Sequence, residues 1–314
     1  GVTGPLTFDT SVKQLFQIIH GNTVVLIPEA MKLNTDLLRE FIVQNKITIL
    51  DMTPSLWSMH QLSHPLEHVL LGGEAISDAI WTSIKHCLRT SNTQFYNLYG
   101  PTETTVDATV SLLDPDMPKP TLGEPLQDVD IDIQKGEILI HSPGIFFGYL
   151  NDHRATAEKI CMRAGKKWYY TGDRGSWTVF KHQKHLLFQG RVDRQAKISG
   201  HRIELDEISQ CLNTCENIKQ THVIANNNQL VAFYVGRASK AALKKHLQRH
   251  LEAYKIPTHY MQMTAFPLNK NGKICDDQLL KKYATWQRDE AHHQKHPDTL
   301  ACLIQLIQKI LAVK

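Results

Sequence analysis

The chain has 314 residues, 42% hydrophobic and 21% charged, with 35 basic against 31 acidic side chains and a net charge of +4. That composition excludes a disordered or collagen-like polymer, and the length predicts two domains that each bury a core. The charge is too balanced for a nucleic-acid partner, and no strip of aromatic and basic residues would read a single strand. No apolar run approaches the roughly 18 residues of a bilayer span, so no membrane association is expected.

The N-terminus, Gly1-Val2-Thr3-Gly4, has neither a basic region nor an apolar signal core, and it lacks a Met, which reads as a fragment. The six cysteines include no Cys-x-x-Cys pair. Reduced thiols of a cytoplasmic protein are therefore expected, not a disulfide frame or a zinc site.

In chain order, Val12, Leu15, Phe16 and Ile19 recur at helical spacing, and Gly21-Asn22 ends that helix. Thr23 to Ile27 reads as a buried strand. Leu37, Leu38, Phe41 and Ile42 mark a second helix, followed by a strand over Ile47–Leu50. His68 to Leu71 is a strand, Ile80 to Leu88 a helix, and Gln94 to Tyr99 a strand. This alternation predicts an α/β fold, with a doubly wound, mostly parallel sheet over residues 1–117. Strict alternation at Val129–Ile133, the Lys135-Gly136 turn and Ile138–Ile140 form a hairpin, so residues 118–192 read as a small antiparallel β subdomain.

Residues 193–285 read as a small α+β C-terminal lid domain. It comprises a helix over Glu204–Cys215, a hairpin over Thr221–Tyr234 turned by Asn226-Asn227-Asn228, and a basic helix over Lys240–Leu251. Residues 286–297 are polar, include His292, His293 and His296, and read as a solvated linker rather than a metal cluster. Residues 298–314 begin an amphipathic helix.

Four segments carry chemistry. Tyr99-Gly100-Pro101-Thr102-Glu103 follows a strand: Gly100 would let backbone approach a ligand, Thr102 can bond phosphate, and Glu103 can hold Mg²⁺. In Tyr169-Tyr170-Thr171-Gly172-Asp173, a carboxylate after a tight Thr-Gly turn can accept both protons of a ribose diol, although a surface turn has the same pattern. Gly190 to Glu204 is dense in charge yet keeps apolar residues, as a salt-bridged strand pair also would. Asn269 to Ile274 places Lys273 on a Gly-containing turn, where it can deliver a point charge to phosphate or simply form a hairpin tip.

In this order the four segments resemble the adenylation domain of non-ribosomal peptide synthetases, within the superfamily of acyl-CoA synthetases and luciferases. Phe8-Asp9-Thr10-Ser11, Leu71-Gly72-Gly73-Glu74 and Gly136 to Ile140 with Gly148-Tyr149 add to the match, which spans about residues 5 to 285. The resemblance implies ATP-dependent formation of an aminoacyl-AMP, then transfer to the phosphopantetheine thiol of a carrier domain. ATP and Mg²⁺ are the implied cofactors. The implied partners are the amino acid, adjacent carrier and condensation domains of a multidomain synthetase and, as an open case, a small accessory activator protein.

By the same match Glu103 would hold Mg²⁺ and Thr102 would contact phosphate. Tyr99 would pack on adenine beside Gly72, Gly73 and Glu74. Asp173 and Arg191 would bind ribose, and Lys273 would bridge substrate carboxylate, ribose and α-phosphate. Asp193 would be the hinge of the lid. Lys197 to His201 would then face the site for thioester formation, with Gly200 leaving room for the pantetheine arm.

Asp9 would pair with the substrate α-amino group, in a pocket lined by Thr10, Lys13, Asp51, Leu70, Gly72, Leu98, Val106 and Asp107. With Lys13 offering a cation, the set resembles pockets that activate glutamate. Thr10 and Leu98 stand where Ala and Val are usual. Glutamine is the second choice, and a cationic side chain, with Lys13 turned away, the third.

The family's Ser/Thr/Gly-rich phosphate loop is not among these residues, so the chain alone is expected to bind ATP poorly and to be inactive. The stretch from about Pro297 resembles the opening of a carrier domain. An acyl-CoA synthetase-like ligase and a catalytically incomplete interaction module are the rival readings.

Overall fold

The computed structural model describes residues 1–63, 65–268 and 274–295, with residues 289–295 as backbone alone. Its contacts divide the chain into two units, the first ending at Ile203 and the second beginning at Glu204.

The first unit opens with helices α1 (Thr10–Ile19), α2 (Glu29–Lys32) and α3 (Thr35–Gln44). Asn34 starts α3 by accepting the amides of Asp36 and Leu37, two donors that the first helical turn cannot satisfy internally. Then come β1 (Ile49–Met52), α4 (Pro54–His60), β2 (His68–Gly72), α5 (Asp78–Thr90) and β3 (Gln94–Tyr99). These three strands are parallel neighbours, and β4 (Thr109–Leu112) and β5 (Glu124–Pro125) extend the sheet antiparallel in the order β1-β2-β3-β4-β5.

One face of this sheet carries Leu50, Met52, Val69, Leu71 and Phe95. They pack with Leu38 and Ile42 of α3, Trp57 of α4, and Trp81 and Ile84 of α5 into the main core. The expected α/β sheet is present, with two differences. Residues 23–27 form no strand, only a bridge from Leu26 to Val2. The apolar positions of α1 are exposed, Phe16 and Ile19 among them, while Gln14 is its buried residue.

The antiparallel part follows. It contains β6 (Asp130–Gln134), β7 (Glu137–His141), helix α6 (His153–Lys159), β8 (Ile160–Arg163), β9 (Lys166–Phe180) and β10 (Gln183–Arg191). Its order is β10-β9-β7-β6, with β8 also on β9. A short hairpin, β11 (Gln195–Ile198) and β12 (His201–Glu204), closes the unit's secondary structure.

The second unit has α7 (Leu205–Asn213), β13 (Ile218–Asn226), β14 (Gln229–Gly236), α8 (Lys240–Leu247), β15 (His259–Met263) and α9 (Asp276–Lys295). Asn227 and Asn228 turn the β13–β14 hairpin with left-handed backbone, as a two-residue loop between twisted strands demands. Ile224, Val231, Phe233, Leu279 and Tyr283 form its core. The polar stretch read as a linker from residue 286 continues α9 as far as Lys295; the amphipathic segment beyond lies outside the described residues. Among the described residues no helix is long and apolar enough to cross a membrane.

Candidate active site

Parallel strands present their carboxyl ends together, and β1, β2 and β3 do so here. Register pairs Asp51 with Leu70 and Gly72 with Leu98, and residues two apart along a strand share a face. Asp51, Leu70, Gly72 and Leu98 therefore line the face opposite the main core. From α1, Lys13 Nζ lies 3.1 Å from Asp51 Oδ2 and 3.7 Å from Asp107 Oδ2. Gln14 donates from Nε2 to the same Asp51 oxygen. Burial works against the Lys13 charge, but the two carboxylates outweigh it and raise its pKa; burial pushes both Asp51 and Asp107 up. Lys13 thus points into the cluster, against the reading in which it turns away.

Asp107 arrives on a loop that doubles back after β3. Thr105 and Val106 both have left-handed backbone, an outlier for a β-branched residue. The Thr105 hydroxyl donates to the Gly144 carbonyl at 2.7 Å, and the Ala108 amide donates to Tyr99 O at 2.7 Å. A Cβ on Gly100 would sit 2.4 Å from the Val106 carbonyl oxygen. Gly100 is therefore closely approached by the chain's own loop. The same loop holds Thr102 and Glu103 in a 3₁₀ turn, and the Thr102 hydroxyl donates to Asp9.

Asp173 is 3% exposed. The Tyr99 hydroxyl donates to its Oδ2 at 2.7 Å, and Arg191 donates to its Oδ1. Arg191 also grips Asp193 through Nε and Nη2, at 2.6 and 2.8 Å. The Thr171-Gly172 pair is no surface turn. It lies inside β9, where the ladder to β10 is irregular between Phe188 and Arg191 and Gly172 takes a φ of 75°. Glu74 accepts from the Ser55 amide and hydroxyl at 3.0 and 2.9 Å, and from the Gly200 amide at 3.0 Å. Gly73 and Gly200 each have a φ of 82°. The Lys197 ammonium lies over the Tyr99 ring, 5.8 Å from its centroid, and burial lowers its pKa.

Glu103 is 7% exposed. The Tyr149 hydroxyl donates to its Oε1 at 2.6 Å, and Arg202 Nη1 donates to both oxygens at 2.9 Å. Burial pushes the Glu103 carboxyl up, but Arg202 and Tyr149 outweigh it and hold it below its usual value. Among the described residues no group of three or more ligating side chains could hold a metal unaided. Magnesium that enters with a nucleotide needs only one or two carboxylates plus phosphates. Glu103 supplies one. The residues fit a metal carried in on a nucleotide.

The structure thus brings Lys13, Asp51 and Asp107 into one network of polar contacts, sets Thr102 on Asp9 as a separate pair, and places Glu103 on Tyr149 and Arg202. A second network joins Tyr99, Asp173, Arg191 and Asp193. Lys273 lies outside the described residues. Gln14, Ser55, Tyr149 and Arg202 contact the candidate site residues, and no role was expected of them from the sequence. Arg202 stood in plain view within the charged Gly190–Glu204 segment, but nothing in that segment says which carboxylate it meets.

Residues 2–150 match the family model of the AMP-binding enzymes. Bacitracin synthase 1 of Bacillus licheniformis is 31% identical over 305 residues, covering 87% of this chain and 6% of that protein. Tyrocidine synthase 3 of Brevibacillus parabrevis is 29% identical over 339 residues, covering 99% of this chain and 5% of that protein. Among solved structures, an NRPS protein containing adenylation and PCP domains, bound to a vinylsulfonamide inhibitor, is 25% identical with a TM-score of 0.75, covering 90% of this chain and 53% of that chain. The chain therefore spans a small part of these two synthases. It belongs to the AMP-binding enzyme family, among the adenylation domains of non-ribosomal peptide synthetases.

Proposed function

We propose that the chain takes part in ATP-dependent activation of an amino acid as its aminoacyl-AMP, followed by transfer to the phosphopantetheine thiol of a carrier domain. The observation that supports this best is the hydrogen bond from Thr102 to Asp9. It sets the acid expected to hold a substrate α-ammonium against the loop expected to hold phosphates. In the first step a substrate carboxylate oxygen bonds to the α-phosphorus, and the bond to pyrophosphate breaks with its electron pair. Positioning and charge neutralisation dominate such chemistry. Asp9 would orient the amino acid, Asp173 and Arg191 the ribose, and Thr102 a phosphate. Magnesium, when bound, would offset phosphate charge with Glu103 as its carboxylate. Lys273, the hinge role of Asp193 and the thioester-step roles of Lys197 and Gly200 rest on the family resemblance. So do the adjacent carrier and condensation domains and a cytoplasmic setting.

Glutamate is the proposed substrate, with Lys13 meeting its side-chain carboxylate. The cluster geometry also favours glutamine, because Lys13 already faces two carboxylates. A third anion around one ammonium is costly to bury, and a proton shared with Asp51 or Asp107 relieves it. An amide needs no proton: its oxygen accepts from Lys13 and its nitrogen donates to an aspartate.

ATP–pyrophosphate exchange measured across the amino acids, on the chain joined to a segment that carries the family's phosphate loop, tests the reading. A response to glutamate that declines as pH rises supports the glutamate pocket, and a pH-independent response to glutamine supports the alternative. Exchange driven by fatty acids, or by none of the amino acids, overturns the proposal.

A further inference from the structure

Two carboxylates share the Lys13 ammonium, and their surroundings differ. Asp51 stands on β1, where its amide donates to Gly1 O at 3.0 Å and its carbonyl accepts from the Thr3 hydroxyl at 2.8 Å. Lys13 Nζ lies 3.1 Å from its Oδ2, and the buried Gln14 donates to the same oxygen. Asp107 stands on the loop after β3 and is the more exposed acid, its side chain 22% accessible against 12% for Asp51. It meets Lys13 at 3.7 Å, and among the described residues no other donor reaches its carboxylate. Burial pushes Asp107 up, Lys13 opposes that, and the negative charges of Asp51 and Asp9 push it further up. Burial pushes Asp51 up as well, but Lys13, the Gly1 amino group and Gln14 all act the other way. Burial brings that amino group down to about 6, so at neutral pH it is mostly uncharged.

We infer that Gln14 is a positioning residue of the amino-acid pocket: it commits Asp51 to be the ionised counter-ion of Lys13, and so leaves Asp107 to carry the proton that a bound acidic side chain requires. The inference rests on the amino-acid reading of the pocket given above. A hydrogen bond donated to a carboxylate favours its charged form, and Asp51 has this second donor where Asp107 has none. When an anionic side chain enters, one proton passes from solvent to an Asp107 oxygen, and that O–H donates to the incoming carboxylate. The filled pocket then carries the same net charge as the empty one. An amide side chain brings no charge and takes up no proton. Without the Gln14 donor, Asp51 competes for the proton, and an ionised Asp107 repels the acidic substrate.

Carboxyl-carbon NMR of the chain labelled at aspartate tests the order of protonation without any ligand. As pH falls, Asp107 should take up its proton before Asp51, each followed through its own resonance because the two titrate as a coupled pair. In Gln14→Met, which keeps the length and removes the donor, the Asp51 midpoint should rise toward that of Asp107. Asp51 protonated first in the parent, or midpoints unmoved in a folded Gln14→Met chain, overturns the inference.

Calorimetry in buffers of different ionisation heat, with non-hydrolysable glutamyl- and glutaminyl-adenylate analogues, then counts the protons. The two analogues share ammonium and adenylate, so their difference isolates the side chain. Near neutral pH the glutamyl analogue should take up about one proton more, and its affinity relative to the glutaminyl one should fall about tenfold per unit rise in pH. Asp107→Asn should abolish the difference in uptake, and Gln14→Met should lower the glutamyl-to-glutaminyl affinity ratio about tenfold. Binding of both analogues with equal proton uptake sinks this inference alone. Failure of both to bind sinks the amino-acid reading and this inference with it.

Discussion

At the scale of single residues, two lysines behave in opposite ways because of what surrounds them. Lys13 sits between two acids, which together outweigh the burial of its charge. Lys13→Met would leave Asp51 and Asp107 facing each other, and a loss of about 3 kcal/mol in urea unfolding is expected. A loss under about 0.5 kcal/mol would mean the cluster is solvated like any surface pair. Lys197 has an aromatic face for its close cation contact, and burial lowers its pKa. A base whose folded pKa lies below its unfolded one costs stability wherever it is charged in the fold. That cost fades as pH rises from the lowered value toward 10.5, its ordinary value. Lys197→Met is therefore expected to stabilise the chain by about 1 kcal/mol at neutral pH. The gap between variant and parent should shrink in unfolding curves taken at increasing alkalinity; a gap that widens contradicts the burial of that ammonium.

At the scale of elements, α1 shows what periodicity can and cannot reveal. Its helical spacing was legible, but spacing alone puts the apolar stripe on the core face, whereas Gln14 is the residue that faces inward, onto Asp51. Phe16→Ser and Ile19→Ser should each shift stability by no more than about 0.5 kcal/mol, while Gln14→Ala should cost about 1 kcal/mol in the same denaturation assay. The parallel strands and both hairpins were legible because alternation and turn residues are local signals. The strand expected over residues 23–27 does not form because an apolar run becomes a strand only if a partner edge accepts it, and here one bridge forms. The bulge at Gly172 was hidden for a similar reason: Thr-Gly looks like a turn, and only the ladders on either side keep it within β9. Gly172 and Gly165 share a φ of 75°, but a Cβ at 172 would lie 2.4 Å from Asp193 Oδ2 and one at 165 would meet nothing within 4 Å. Gly165→Ala should cost about 1 kcal/mol for the backbone alone, and Gly172→Ala about 2 kcal/mol or more. Equal costs would show that Asp193 does not crowd the bulge.

At the scale of the whole molecule, the family was legible from four ordered motifs, while the partners within the site were not. The sequence named Glu103, Asp173 and Asp9, but each has a hydrogen-bond partner from far along the chain: Arg202, Tyr99 and Thr102. Spacing cannot report such pairings, because they depend on how β9, the loop after β3 and the β11–β12 hairpin converge. The central claim is that an amino-acid pocket and a nucleotide pocket meet at the Asp9–Thr102 hydrogen bond. Calorimetric titration of the chain with a non-hydrolysable glutamyl-adenylate analogue, beside its leucyl counterpart, tests that most directly. Glutamyl preference of at least about tenfold is expected, lost in Lys13→Met, with both analogues weakened by Asp9→Asn and by Asp173→Asn. Equal affinity for the two analogues, untouched by those three substitutions, would contradict it.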